Sequence, residues 1–176
     1  MRPRVLARQY RRPRRGLSRL SRPRSLDRCA DAQARLHLTD LSPEGVVRGY
    51  FEALNARDFA RAAGPIAENC EWTSVATEKV HTGPAAIVAG LREFVTAFPD
   101  WRVTLERLSA SGNVVVVEWS TSGTFERPFR SHPPNGKRFV RRGCAVAEVE
   151  GGRIVRYRDY YDRLTLLEQL GLAPTG

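Results

Sequence analysis

Residues 151–174, GGRIVRYRDYYDRLTLLEQLGLAP, decide the fold. They read as a tight Gly-Gly turn, a strand and a short capped helix. Side chains two apart along a strand share a face. Val155, Tyr157, Asp159 and Tyr161 therefore lie on one side, and Ile154, Arg156, Arg158 and Tyr160 on the other. The first side is apolar and aromatic, with a single carboxylate, Asp159, set in it. Two readings of Asp159 stand open: a structural acid held by a basic partner, or a site residue inside a pocket. Asp162 caps the helix that follows, Leu164, Leu167 and Leu170 are its apolar positions, and Gly171 with Pro174 beyond ends it.

Working outward, the chain before this stretch also alternates with period two. Residues 101–108, 113–125 and 137–149 read as strands. Residues 109–112 turn between the first two, and the loop 126–136 is closed by Asn135-Gly136. Upstream of the strands the period is helical. Ser42 caps a helix, Pro43 fits its first position, and Glu44 suits the positive end of its dipole. Val46, Val47, Tyr50, Phe51 and Leu54 form its apolar face. A turn at 55–58 leads to a short helix, 58–63, that ends near Gly64-Pro65. Residues 71–77 form a short strand around Trp72. Thr82-Gly83-Pro84 opens a third helix, with Ile87, Val88, Leu91, Phe94, Val95 and Phe98 as its stripe and Pro99 as its stop. Helices first and antiparallel strands afterwards make an α+β domain, with helices packed on one face of a curved sheet.

The net charge of +10 is local. Residues 1–28 hold eleven arginines and one acid, Asp27, and the remaining residues sum to zero. The basic excess therefore says nothing about the partner of the domain, and nucleic acid is expected only through the tail. Residues 1–35 are Arg, Pro and Ser with scattered Leu, a composition too poor in apolar surface to order itself. Arg14-Arg15 is not followed by the apolar core of an export signal. The expected division is a disordered basic extension, 1–38, and one domain, 39–176. No run approaches the length needed to span a bilayer. Cys29, Cys70 and Cys144 lie far apart, without CxxC or histidine at ligand spacing, so neither a disulfide framework nor a metal site is expected, and a reducing cytoplasmic setting fits. With no phosphate loop, HExxH or Gly-x-Ser-x-Gly elbow, no cofactor is called for.

Several segments in this order carry a resemblance. They are YFEALNARDFAR (50–61), the helix start Gly83-Pro84-Ala85-Ala86-Ile87, Phe98-Pro99-Asp100-Trp101, the valine strand running into Ser122-Gly123-Thr124, Pro133-Pro134-Asn135-Gly136-Lys137, and the closing YYDRLTLLEQLGL. Together they resemble the SnoaL-like polyketide cyclase family, within the nuclear transport factor 2-like superfamily. The resemblance covers roughly residues 40–174. It implies a cone-shaped domain, a strongly bent sheet wrapped against helices, and a cavity for a small, apolar organic molecule. Dimers are common in the family, so a homodimer is an expectation by analogy. Members include cyclases, isomerases, epoxide hydrolases and non-catalytic binding domains, so fold does not give function.

The family's cyclases carry a pocket histidine in Gly-Thr-His at the end of the long strand, where this chain has Gly123-Thr124-Phe125. Their acid on the next strand aligns with Ala145. Both polar groups of that mechanism are absent, since neither Phe nor Ala moves a proton. In the limonene epoxide hydrolase branch the last strand also reads Arg-Asp-aromatic-aromatic-Asp, and Asp159 matches one acid of its Asp-Arg-Asp set. The remaining positions of that site fall on Glu118, Ser120, Trp72 and Ser74.

Asp159 is thus the first candidate for acid–base chemistry and Glu118 the second. Glu118 shares a face with Val114, Val116 and Ser120. If that face lines the cavity, the two carboxylates approach each other and one is driven to hold a proton; otherwise Glu118 pairs with an arginine such as Arg141 or Arg142. Trp72, Trp101 and Trp119 with Tyr50, Tyr157 and Tyr161 are candidate walls of an apolar pocket, against plain core packing. His81 is a candidate for the cavity mouth, His132 and Phe129 for a lid, and Phe125 for a substrate contact at the family's histidine position. Two functions follow: a cofactor-free cyclase, isomerase or hydratase of a polyketide-like or cyclic substrate, or a non-catalytic ligand-binding or dimerisation module.

Overall fold

The computed structural model describes residues 41–173. The basic extension of 1–38 and the helix-ending Pro174 lie outside the described residues. Helix α1 (Pro43–Asn55) is capped by the Ser42 hydroxyl, which accepts from the Gly45 N–H at 3.0 Å. Helix α2 (Phe59–Ala63) is capped by Asp58. Strand β1 (Ile66–Ser74) and a single 3-10 turn lead into β2 (Lys79–Thr82), and helix α3 (Gly83–Ala97) follows. Strands β3 (Arg102–Ser111), β4 (Val114–Thr124), β5 (Arg138–Glu150) and β6 (Arg153–Tyr161) run to helix α4 (Arg163–Leu170). Asp162 caps α4, and Gly171 ends it in the left-handed conformation at φ 67°.

The six strands form one sheet in the order β2-β1-β6-β5-β4-β3. Every neighbouring pair is antiparallel except β1 and β6, which run parallel. The sequence reading of a wholly antiparallel sheet is corrected here. The chain from β1 to β6 passes through a helix and four further strands, so no hairpin fixes their relative direction. Strand β2 was not foreseen, and β1 starts at Ile66 rather than near residue 71.

The register shifts in the β1–β6, β3–β4 and β5–β6 pairs. Such bulges bend a strand and sharpen its twist. In β6 the shift leaves Val155 between the pairs Val149↔Ile154 and Glu148↔Arg156. The extra residue reverses the parity of the face, so Ile154 is fully buried together with Tyr157 although they stand three apart.

The concave side carries Val115, Val117, Trp119 and Thr121 of β4 and Ala145 and Ala147 of β5, all buried. Helix α1 lays Val46, Val47, Tyr50, Phe51 and Leu54 against it. The Asn55 side chain fixes that helix to β3, donating to the Val103 carbonyl at 2.7 Å and accepting from its N–H at 3.0 Å. At one end, Phe98, Phe125 and Phe139 are fully buried, with ring centroids 5.1–5.3 Å from Phe98. Toward β1 and β6, small residues hold the sheet surface low: a Cβ at Gly143 would collide with the Trp119 ring, which lies across it.

Candidate functional site

Two adjoining cavities lie against this concave face. The first, about 60 Å³, is walled by Tyr50, Phe51, Trp72, Trp101, Trp119 and Tyr157, with Thr121, Arg141 and Asp159 among its polar lining. The second, about 290 Å³, is lined by Ser74, Lys79, His81, Glu93, Phe94, Phe129, Arg130 and Tyr161. Trp72, Leu91, Arg141 and Asp159 belong to both. The wall of the first is nearly all buried, whereas Lys79, Glu93 and Arg130 of the second are exposed. The first is therefore a deep chamber and the second its vestibule.

Asp159 stands at their junction. Its Cα pairs with Ala145 on one side and Ser74 on the other. Burial pushes its carboxyl up to about 6, while the Arg141 guanidinium and the Trp119 indole pull the other way. Desolvation wins because Arg141 and Asp159 make no direct ion-pair contact. Arg141 is held by rings instead: its guanidinium lies 4.2 Å from the Tyr161 centroid, 5.0 Å from Trp119 and 5.7 Å from Phe94. Burial also lowers its own proton affinity, against the opposing pull of Asp159. The phenols of Tyr50 and Tyr157 are raised well above their ordinary value, first by burial and then by the charge of Asp159. Both stay protonated at neutral pH and can act as donors. The Tyr157 ring stacks on Trp72 with centroids 3.5 Å apart, and the Tyr161 hydroxyl sits 3.2 Å from the Ser74 hydroxyl.

The deep chamber also gathers unmet polar atoms. Seven buried side-chain polar atoms among the described residues have no hydrogen-bond partner. Five of them, Tyr50 Oη, Trp101 Nε1, Thr121 Oγ1, Arg141 Nε and Asp159 Oδ1, belong to residues lining this one chamber. Buried polar groups in folded proteins are nearly always satisfied, so these atoms are open to a bound water or a ligand.

Of the residues expected at a site, Asp159, Tyr50, Trp72, Trp101, Tyr157, Tyr161 and His81 all line one or both cavities. Glu118 does not. Its face is the outer one, where Val116 is 41% exposed, and its carboxylate lies 3.9 Å from Arg107. The expected approach of Glu118 to Asp159 is corrected: β4 turns Val117, Trp119 and Thr121 inward, so Glu118 and Ser120 face away. Phe125 is likewise not a wall of either cavity, because its ring is packed against Phe98 at the filled end. Phe129 lines the vestibule, whereas His132 is exposed and lines neither cavity. Arg141 and Thr121 were missed as wall residues. The available signal was a charge sharing its face with Phe139, Gly143, Ala145 and Ala147. Among the described residues no three His, Cys, Asp or Glu side chains gather as metal ligands, and no helix is long and apolar enough to cross a membrane.

Fold and site together define a helix-backed curved sheet enclosing an aromatic, polar-studded small-molecule pocket. The family model described as SnoaL-like polyketide cyclase matches residues 44–170, and the chain belongs to that family. Among solved structures it is similar to AclR of Streptomyces galilaeus, a candidate hydroxylase. That match has a TM-score of 0.67 at 19% identity and covers 75% of this chain and 97% of that one. IdmH of Streptomyces antibioticus, a candidate polyketide cyclase, matches with a TM-score of 0.66 at 24% identity, over 74% of this chain and 99% of that one. An LEH-like epoxide hydrolase of M. tuberculosis matches with a TM-score of 0.60 at 22% identity, over 73% of this chain and 88% of that one. No curated protein matches the chain. At these identities the structural likeness carries the fold and not the chemistry.

Proposed function

We propose that this SnoaL-like protein is a cofactor-free acid–base catalyst acting on a polyketide-like or cyclic, largely apolar molecule, with Asp159 as the proton-transfer group. The observation that carries the reading is the convergence of five unmet polar atoms on one aromatic chamber around a carboxyl raised to about 6. An acid in that range is ionised at neutral pH yet returns a proton readily, which suits it to shuttle one. Asp159 takes the proton from the carbon next to a carbonyl. The electron pair moves into an enolate, whose oxygen accepts from the Tyr50 phenol and the Arg141 guanidinium. Return of the proton from Asp159 to another atom gives isomerisation. Attack of the enolate carbon on a second carbonyl of the same molecule pushes that C=O pair onto its oxygen, which takes the proton from Asp159, and gives cyclisation. Asp159 lies directly across the β5–β6 pair from Ala145, so an acid occupies the same wall as the acid expected in the cyclases, one strand away.

The test is proton exchange in 2-tetralone, which can present the carbonyl edge of its ring to Asp159 at the junction of the two cavities. In D₂O the protein should speed deuterium incorporation next to the carbonyl, followed by NMR, with a rate that rises through pH 6 as Asp159 ionises and then levels. Asp159→Asn should lower the catalysed rate by roughly 10²–10⁴-fold while quenching of tryptophan fluorescence by the ketone persists. Exchange no faster than in buffer, or undiminished in the variant, would leave ligand binding without catalysis. Phe125 and Ala145, packed as core where the family's histidine and acid are expected, favour that second reading.

A further inference from the structure

We infer that the preferred ligand is elongated and anionic, with its reacting carbonyl end in the deep chamber and a carboxylate held at the vestibule by Lys79 and Arg130. This deepens the catalytic reading and rests on it only for which end of the ligand reacts.

Shape is the first ground. The deep chamber, about 60 Å³, is well below the roughly 150 Å³ that accommodates a benzene ring. A ring system cannot enter it whole, so only a small arm or the edge of a ring passes Asp159 into it, and the body of the ligand remains in the vestibule of about 290 Å³, which Asp159 also lines. Together the two chambers fall near the lower end of small-molecule sites, roughly 300–1,000 Å³.

Charge is the second. The charged side chains on the vestibule are Lys79, Arg130 and Arg141 against Glu93 and Asp159, with His81 beside them. Neither Lys79 nor Arg130 has an ion-pair partner among the described residues. This cationic rim is not the residue of a basic surface, since the sequence beyond residue 28 sums to zero charge.

Arg130 is also held in place. Phe129 and His132 exchange both backbone hydrogen bonds, at 3.1 and 3.0 Å, around a two-residue turn in which Arg130 takes a left-handed φ of 52°. A non-glycine residue in that region is uncommon and needs support from its surroundings. Here the guanidinium lies 5.1 Å from the Phe129 ring centroid, and Phe129 itself lines the vestibule. The turn sets one cation on an aromatic shelf over the cavity, and Lys79 on β2 supplies a second.

All three tryptophans of the chain line the deep chamber and Trp72 lines the vestibule too, so intrinsic fluorescence reports occupancy of either. The experiment titrates the full chain with 2-naphthylacetate and with its neutral isostere 2-naphthylacetamide. The carboxylate should bind about three- to tenfold more tightly, as two partly exposed ion contacts allow, with the advantage shrinking in 1 M salt. The Lys79→Ala/Arg130→Ala double variant should bind the two probes equally and keep the wild-type affinity for the amide. Equal binding by the wild type, or a preference that survives in the double variant, overturns the inference and leaves the proton-exchange result standing. Binding of neither probe overturns both this inference and the pocket reading. Anion preference without any 2-tetralone exchange supports the binding geometry and sinks only the catalysis.

Discussion

Two aromatic clusters occupy the same concave sheet and were put to opposite uses. At one end Phe98, Phe125 and Phe139 fill the space between α3, β4 and β5, and each is fully buried. At the other, Tyr50, Trp72, Trp101, Trp119 and Tyr157 stand around a chamber. Phenyl rings have no polar atom, so they pack without conditions. Tyrosine and tryptophan bring a polar tip that wants a partner when buried, and here Tyr50 and Trp101 have none within the protein. The hollow end is core in its ring faces and, on the proposed function, a binding surface in its ring edges. A chain selected only for stability gains nothing from five unmet polar atoms beside a buried carboxylate.

The sharpest break of this comparison is Phe98→Ala. Its centroid lies 4.6 Å from Phe94, 5.1 Å from Phe139 and 5.3 Å from Phe125. Truncation leaves a cavity in a closed cluster and should cost ~3–5 kcal/mol, read as a fall in the urea midpoint at unchanged slope. A cost below ~1 kcal/mol would mean that the phenylalanine end is itself loosely packed, and the contrast would fail.

Next in size is the pH response. The Asp159 carboxyl is raised from an unfolded value near 3.8 to about 6 in the fold. Below pH 3.8 both states are protonated and the group is neutral to stability. Between there and 6 the folded state binds more protons, so stability falls as pH rises. Above 6 the full cost of the buried charge persists, a ceiling of roughly 3 kcal/mol for about two units. Asp159→Asn should therefore flatten the stability profile between pH 4 and 6, and at pH 7 leave the midpoint unchanged or raised. A large loss of stability at pH 7 would mark Asp159 as a structural acid clamped by Arg141, and the hollow end would then be ordinary core.

The fold was legible because its signals are local. Ser42-Pro43, Gly83-Pro84, Gly151-Gly152 and Gly171 punctuate the chain, and the change of period after Pro99 separates helices from strands. The parallel pairing of β1 with β6 was not legible, because strand partnership depends on the whole path of the chain. Asp159 stood out as one charge on an aromatic face; Tyr157, Asp159 and Tyr161 do line the cavities, but the bulge sets Ile154 rather than Val155 inward with Tyr157. Glu118 was also grouped with its true neighbours, Val114, Val116 and Ser120. What alternation alone could not settle is which face of a strand with valines on both sides turns inward. Val115 and Val117 are fully buried while Val116 is 41% exposed, and the difference comes from the helices above. Arg141 escaped for the same reason. It adjoins Arg142, one of the two had to face in, and its nearness to Asp159 arises only from the register that sets Ala145 opposite the acid.

The smallest effect is the most discriminating. Tyr50→Phe keeps the ring contacts of a residue only 1% exposed, with centroids 5.4 Å from Phe51 and 5.5 Å from Trp72, and deletes one hydroxyl without a protein partner. Removing a buried hydroxyl that makes no hydrogen bond relieves desolvation rather than breaking an interaction, so stability should change by less than ~1 kcal/mol, toward greater stability. The same change removes a donor from the proposed enolate oxygen, and the 2-tetralone exchange rate should fall about tenfold or more. Stability and turnover thus move in different directions at one atom. A hydroxyl that served the fold would do the reverse: its loss would lower the urea midpoint and leave exchange untouched, and the polar edges of the hollow cluster would then belong to the scaffold.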